Sequence, residues 1–210
     1  MRLTKYEHAC FSVEIDDTVL VVDPGNFTSD FVVTNNIIAI VITHEHADHF
    51  DPDLLAAIYD KNPESVIISL PSIIEKMPDH KSQAAISGQT LNVGPFNLEF
   101  FGGEHATIHP DIPVVGNIGV MINDSLYYPG DSFSVPTKPV KILALPVSAP
   151  WMKISDMIDF LRAIKPVLAF PTHDAILSDS GMLLADSLAI RFAELVGTDY
   201  KRIDGTTIDV

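Results

Sequence analysis

Cysteine is almost absent from this sequence of 210 residues, in which Cys10 is the only one. A single thiol cannot form an intrachain disulfide, which excludes a disulfide-stabilised scaffold and is typical of a reducing compartment. Long apolar runs are also missing: the longest extend over about six residues, whereas a membrane-spanning helix needs about 20. The first residues contain no apolar stretch typical of a secretion signal. We therefore expect a cytoplasmic protein without a membrane partner.

Positive charge is scarce as well. The chain has 13 Lys and Arg against 28 Asp and Glu, so its formal net charge is −15. A general nucleic-acid binder needs a basic surface, and we therefore expect no nucleic-acid partner. A small anionic substrate remains compatible, because bound divalent cations would make a site locally positive. The length fits one domain over residues 1–210, and a homo-oligomer is compatible with the sequence.

The densest group of metal-binding side chains lies in the segment 43–50, which has the sequence Thr-His-Glu-His-Ala-Asp-His-Phe. The segment directly follows the apolar run 37–42, which predicts a buried strand, so the group lies on the loop that leaves this strand. Imidazole and carboxylate are the groups that divalent metals bind. The candidate ligands in this loop are three histidines and one aspartate, namely His44, His46, Asp48 and His49.

The pattern His-x-His-x-Asp-His after an apolar strand resembles the signature of the metallo-β-lactamase-fold superfamily of metal-dependent hydrolases. This resemblance extends over essentially the whole chain and implies three further ligands, which the sequence supplies as His105, Asp131 and His173. It implies a first metal on His44, His46 and His105. It implies a second metal on Asp48, His49 and His173, with Asp131 as the bridge. His109 is the alternative to His105, four residues further on.

The resemblance also implies a chemistry. Two divalent ions, zinc first and manganese or iron as alternatives, would activate a bridging hydroxide against a small-molecule ester, lactone or phosphorylated substrate. Asp48 would take part in catalysis as well as in binding. His109 either braces its loop or serves as a catalytic proton donor. A redox di-iron role is disfavoured, because that branch of the superfamily has glutamate at the position of His46.

The segment 102–106, Gly-Gly-Glu-His-Ala, resembles the branch that contains L-ascorbate-6-phosphate lactonase more than the glyoxalase II branch. Two other functions stay open. One is a phosphodiesterase or RNA-processing nuclease similar to tRNase Z, against which the net charge argues. The other is a non-catalytic metal-binding module, against which the complete ligand set argues.

Four residues near these motifs have uncertain roles. Asp23 ends a predicted strand and either supports a ligand histidine or caps a turn. Ser132 and Trp151 either line a pocket or pack in the core. His8 ends a predicted strand and receives no role.

The periodicity predicts short strands in both halves, with helices that begin at Asp51-Pro52, near Ile154 and near Gly181. The last helix has several large apolar residues, including Leu183, Leu184 and Leu195, which we expect in the core. Periodicity alone supports a mixed α+β fold. The resemblance adds a four-layer αββα sandwich, in which two mixed sheets are covered by outer helices.

Overall fold

The computed structural model describes residues 1–210, which form fourteen strands and four helices. The strands are β1 (Arg2–Lys5), β2 (Phe11–Ile15), β3 (Thr18–Val22), β4 (Ile37–Ile42), β5 (Val66–Ser69), β6 (Ser82–Ala84), β7 (Thr90–Val93), β8 (Phe96–Glu104), β9 (Gly116–Ile122), β10 (Leu126–Tyr128), β11 (Ile142–Pro146), β12 (Leu168–Thr172), β13 (Asp199–Tyr200) and β14 (Thr207–Asp209). The helices are α1 (Pro52–Lys61), α2 (Pro71–Ile74), α3 (Ile154–Ile164) and α4 (Asp179–Glu194). None of the helices is long and apolar enough to cross a membrane.

The strands form two seven-stranded mixed sheets with the same plan of pairing. The first sheet has the order β14-β1-β2-β3-β4-β5-β6, and the second has the order β7-β8-β9-β10-β11-β12-β13. In the first sheet, pairing is antiparallel from β14 to β3 and parallel from β3 to β6. In the second sheet, it is antiparallel from β7 to β10 and parallel from β10 to β13. The carboxyl ends of β1, β3 and β4 therefore share one edge, as do those of β8, β10 and β12.

Alternation of side chains along the strands builds the layers. In β4, Ala39 and Val41 belong to the core between the two sheets, while Ile40 and Ile42 pack on the opposite face. Successive side chains of a strand point to opposite faces, so a continuously apolar strand is buried on both. The outer face of the first sheet is covered by α1 and α2, and that of the second by α3 and α4. The predicted αββα sandwich is confirmed.

Helix α1 begins where the sequence predicts and holds the adjacent histidine loop. The Asp51 carboxylate accepts a hydrogen bond from the Asp53 backbone N–H, and Pro52 occupies the first helical turn, where its missing N–H is not needed. Leu55 and Ile58 are buried against the first sheet. The loop 43–50 therefore lies between a buried strand and a capped, packed helix, which limits its freedom to move.

The core prediction for α4 is wrong in part. Its buried residues are alanines at intervals of four, and Leu183, Leu184 and Leu195 are exposed. Small side chains on one stripe let a helix approach its neighbours closely, and the leucines then lie outside the contact.

The three shortest edge strands, β6, β13 and β14, have too few residues to show a periodicity in the sequence.

Candidate metal centre

The structure brings all seven predicted ligands to one place between the two sheets. They come from the loops that follow β4, β8, β10 and β12, whose carboxyl ends lie on the neighbouring edges of the sheets. Together with His8, they form two groups in which the candidate ligand atoms lie within 4.8 Å of one another. Group one contains His44, His46, His105 and Asp131, and group two contains His8, Asp48, His49 and His173.

Asp131 contacts both groups and is almost fully buried, with 2% of its surface exposed. Its Oδ2 atom lies 3.3 Å from His105 Nε2 and 3.8 Å from His44 Nε2, both in group one. The same oxygen lies 3.0 Å from His173 Nε2, and Oδ1 lies 3.2 Å from His49 Nε2, both in group two. One carboxylate is thus positioned between two sets of nitrogen atoms.

Asp23 determines how two of the histidines present their nitrogen atoms. It accepts a hydrogen bond from His49 Nδ1–H at 2.7 Å, and one from the Thr43 hydroxyl, also at 2.7 Å. Because the Thr43 hydroxyl donates to Asp23, it accepts from His44 Nδ1–H at 3.0 Å. Both rings therefore carry a proton on Nδ1, which leaves Nε2 as the nitrogen available to a metal; His49 Nε2 faces Asp131, and His44 Nε2 lies 3.1 Å from His46 Nδ1.

Backbone carbonyls fix the position of the Nδ1 proton and the ring orientation in two other histidines. His105 Nδ1–H donates to the carbonyl of Ala106, and His173 Nδ1–H donates to the carbonyl of Ser148 at 2.6 Å. Ligand histidines in metalloproteins generally donate their second ring N–H in this way, which fixes the ring and raises its basicity. Four of the histidines therefore have the orientation and tautomer that a metal requires.

Three buried atoms at the centre of the site make no hydrogen bond of acceptable geometry, although each lies within 3.3 Å of an oxygen or nitrogen atom of the site: His49 Nε2, His105 Nε2 and Asp131 Oδ1. A buried polar atom without a partner costs about 1–3 kcal/mol, and folded proteins rarely leave several together. Divalent cations would satisfy all three at once, because imidazole lone pairs and a carboxylate oxygen are donor atoms for zinc, manganese or iron. The residues present fit the metal ions that the superfamily implies.

The two groups differ in their protonation in the metal-free protein. Burial and the neighbouring His49 lower the pKa of His44 well below its ordinary value. Burial would also lower the pKa of His173, but the Asp131 and Asp48 carboxylates raise it to about 9. For His49, burial again opposes charging, but the Asp131 and Asp23 carboxylates raise the pKa well above its ordinary value. Protons therefore occupy the rings of group two that metal ions would bind.

Two glycines let the backbone come close at the site. Gly130 has a φ of +62°, and an added Cβ would lie 2.3 Å from Asn117 Oδ1. That Asn117 oxygen accepts the backbone N–H of Asp131 at 2.9 Å and so anchors this residue. Gly25 packs on the histidine loop, and a Cβ there would lie 1.8 Å from the carbonyl oxygen of Asp48. Larger residues at either position would displace a candidate ligand.

Trp151, the only tryptophan, contacts the centre directly. Its Nε1–H donates to Asp131 Oδ2 at 2.9 Å, and its ring lies 5.2 Å from that of Phe133. An open cleft of about 640 Å³ is lined by Phe133 and by the candidate ligand His105. Its other walls come from the ends of β8 and β10 and include Glu104, Thr107, Ser132 and Ser134. The sequence left open whether Trp151 and Ser132 line a pocket or pack in the core. The structure places Trp151 against Asp131 and Ser132 in the wall of the cleft.

The structure does not bring His109 into either group. Its side chain is 60% exposed, and its Nδ1 accepts the backbone N–H of Asp111 at 3.1 Å. A catalytic role of His109 therefore stays a prediction. Sequence reasoning also missed two residues, His8 and Asn117, which are both buried and both bonded to the candidate ligands or their backbone.

Comparison with known proteins agrees with this geometry. Residues 2–173 match the family described as beta-lactamase superfamily domain. The chain is 36% identical over 206 residues to Protein Rv0786c of Mycobacterium tuberculosis. The aligned region covers 96% of this chain and 95% of that protein.

Solved structures share the fold. Igni18, a metallo hydrolase from the archaeon Ignicoccus hospitalis, superposes with a TM-score of 0.75 at 16% identity, over 100% of this chain and 98% of that one. The metallo-beta-lactamase fold protein YhfI from Bacillus subtilis superposes with a TM-score of 0.73 at 17% identity, over 99% and 98%. The chain belongs to the beta-lactamase superfamily and has the metallo-β-lactamase fold of its metal-dependent hydrolases.

Proposed function

We propose that this protein is a binuclear metal-dependent hydrolase that acts on an uncharged small-molecule ester or lactone. The position of Asp131 carries the proposal, because its two oxygens face nitrogen atoms of both groups. Group one would bind the first ion, and Asp48, His49 and His173 would bind the second, with Asp131 shared. When bound, the two ions supply Lewis acidity and an activated water nucleophile. Zinc is the first choice, with manganese or iron as alternatives.

The protein's own residues prepare the site in three ways. Asp23 and the two backbone carbonyls keep imidazole lone pairs directed inward, so little reorganisation is needed when metal binds. Burial would raise the pKa of Asp48, but hydrogen bonds from His173 and His8 lower it below its usual range and so keep the carboxylate ionised. Asp48 also has 23% of its side chain exposed, so we assign it a second role in orienting the attacking water.

The walls of the cleft support an uncharged substrate. They include the Glu104 carboxylate, hydroxyl groups and the Phe133 ring, and they contain no lysine or arginine. A phosphate group that lies away from the metal ions normally needs such a cation, preferably an arginine. This composition favours a neutral ester or lactone over a substrate that carries a remote phosphate group and over RNA.

The test combines metal analysis with a substrate panel. We expect about two equivalents of metal per chain by mass spectrometry, and fewer in His46→Ala and Asp131→Ala. The control is His80→Ala, because His80 lies outside both groups and contacts Tyr59 instead. Metal-dependent turnover of p-nitrophenyl acetate or a neutral lactone should exceed that of bis(p-nitrophenyl) phosphate.

Phosphodiester turnover without ester turnover would support the nuclease-like alternative instead. Two bound metals without any turnover would support the non-catalytic module. A protein that takes up no metal on titration would refute the proposal.

A further inference from the structure

His8 lies in the loop between β1 and β2 and has no exposed surface. Its φ of +54° is a left-handed conformation that non-glycine residues rarely adopt, so the surrounding structure must hold it there. Because β1 runs in the same direction as β3 and β4, this loop lies at the sheet edge that carries the candidate metal centre. His8 Nε2 lies 3.1 Å from Asp48 Oδ2, within group two.

The hydrogen bonds of the ring determine where its proton lies. The backbone N–H of Ala175 donates to His8 Nδ1 at 3.2 Å, so Nδ1 carries a lone pair and not a hydrogen. A neutral imidazole has one N–H, which is then on Nε2, and this N–H donates to Asp48 Oδ2. A nitrogen that carries a hydrogen has no lone pair for a metal. His8 therefore differs from His44, His49, His105 and His173, whose Nδ1 atoms donate.

We propose that His8 is a positioning residue for the second metal subsite and not one of its ligands; this inference rests on the proposed binuclear function. Asp48 Oδ2 is the oxygen that faces His173 Nε2 at 3.4 Å and His49 Nε2 at 3.7 Å. By donating to that oxygen, His8 fixes the rotation of the carboxylate and occupies one of its lone pairs. The remaining lone pair of the same oxygen is directed into the subsite.

His8 also fixes the turn that carries His173. Its backbone carbonyl accepts the N–H of His173 at 3.1 Å, and its ring lies 4.2 Å from the His173 ring. With the Ala175 contact, three interactions join the β1–β2 loop of the first sheet to the turn after β12 in the second. One residue thus holds a ligand from each sheet at the same subsite.

The tautomer is tested on the wild-type protein by long-range ¹H–¹⁵N NMR of ¹⁵N-histidine-labelled samples, with and without zinc. We expect His8 to carry its proton on Nε2 in both states, while the ligand histidines lose a free lone pair when zinc is added. A His8 signal that changes to the Nδ1–H tautomer on zinc binding would show that His8 is a ligand and would overturn the proposal.

Two variants test the effect on binding. His8→Asn suits a positive φ but is too short to reach Asp48, whereas His8→Gln keeps an N–H donor at similar reach. In competition titrations with zinc and a chromophoric chelator, we expect His8→Asn to lower the affinity for the second zinc equivalent about 10–100-fold and to leave the affinity for the first unchanged. His8→Gln should recover most of the affinity. The melting temperature of metal-free His8→Asn should not fall below that of metal-free His8→Gln.

The outcomes separate this inference from the proposed function. If the wild type binds two zinc ions and His8→Asn binds both as tightly, the positioning role is wrong and the hydrolase proposal stands. Equal loss of both equivalents in His8→Asn would show a general structural role and would also overturn the inference. If the wild type binds no zinc, the proposed function fails first.

Discussion

The two sheets have the same plan of pairing but contribute to the site in different ways. In each, a central strand marks the change from antiparallel to parallel pairing, β3 in the first sheet and β10 in the second. Each of these strands leads to a buried aspartate, Asp23 or Asp131. Asp23 accepts hydrogen bonds that orient two histidines, whereas Asp131 faces Nε2 atoms of both groups. Equivalent positions thus have different tasks.

The distribution of ligands differs in the same way. The first sheet contributes four candidate ligands from the single loop after β4, and the second contributes one each from the loops after β8, β10 and β12. Because the first four ligands lie in one short loop, their positions depend only on the strand before the loop and the capped helix after it. The second set depends on the register of three strands, so its geometry is a property of the whole sheet.

Asp131→Asn should have the largest effect and tests the assignment of a bridge to the second sheet. Removing the shared charge affects both groups, so we expect both metal equivalents to weaken by more than the roughly 100-fold that an outer hydrogen-bond partner contributes. Mass spectrometry after dialysis and competition titration measure this. Retention of one tight equivalent would mean that Asp131 serves a single ion.

Asp23→Asn is the matched change in the first sheet. The change weakens the hydrogen bonds from His49 and from the Thr43 hydroxyl and backbone N–H but removes no proposed ligand, so metal affinity should fall about 10–100-fold and the stoichiometry should stay at two. The same titration gives the comparison. An effect as large as that of Asp131→Asn would remove the distinction between a ligand and an orienting carboxylate.

The pH dependence should distinguish the two groups. The folded-state pKa of His173 is about 9, above the value of about 6.5 for an unfolded chain, so its stabilisation of the metal-free protein is complete below pH 6.5. This stabilisation is lost as the pH rises through about 9. Metal must displace this proton and the one on His49, so affinity for the second equivalent should rise with pH from 7 to 9, by up to about tenfold per unit for each proton displaced.

Group one should depend less on pH over this range, because the pKa values of His44 and His46 are lowered by burial and these rings are already neutral. Zinc titrations at pH 6.5, 7.5 and 8.5, with melting temperatures of the chelator-treated protein, test both expectations. A first equivalent that is as sensitive to pH as the second would contradict the assignment.

Trp151→Phe should have the smallest effect. The loop after β11 occupies the place that the histidine loop has after β4, and it contributes an aromatic ring instead of ligands. Loss of one N–H donor to the Asp131 carboxylate should cost about 1.5 kcal/mol, the lower end of the range for a charged acceptor, while Phe keeps most of the apolar wall. We expect about a tenfold loss in turnover and no change in stoichiometry. In the wild type, tryptophan fluorescence should change as metal binds.

Local information in the sequence predicted a mixed α+β fold and one loop of the site, whereas the αββα arrangement came from the family resemblance. The run 37–42 and the cap at Asp51 predicted β4, the histidine loop and the start of α1, because each signal lies within a few residues. The ligands of the second sheet could be named only through the resemblance, since their meaning depends on which strands are neighbours.

His8 could not be recognised in this way. Its partners, Asp48 and Ala175, are 40 and 167 residues away. The available signal was topological: a histidine after a strand that runs in the direction of β3 and β4. The role of Asn117 could not be recognised from the sequence either, because one amide in an otherwise apolar strand does not disturb the strand pattern.

The pairing of β1 with β14 has a consequence for biosynthesis. Thr4 and Thr207 bond across this pair over 203 residues, so the first sheet cannot be completed while the chain is still being translated up to that point. The histidine loop is made early, but Asp131, His173 and the amide that holds His8 follow much later. A nascent chain therefore displays a dense cluster of imidazoles before their proper partners exist. The set of candidate ligands is therefore complete only after the turn that carries His173 has been made.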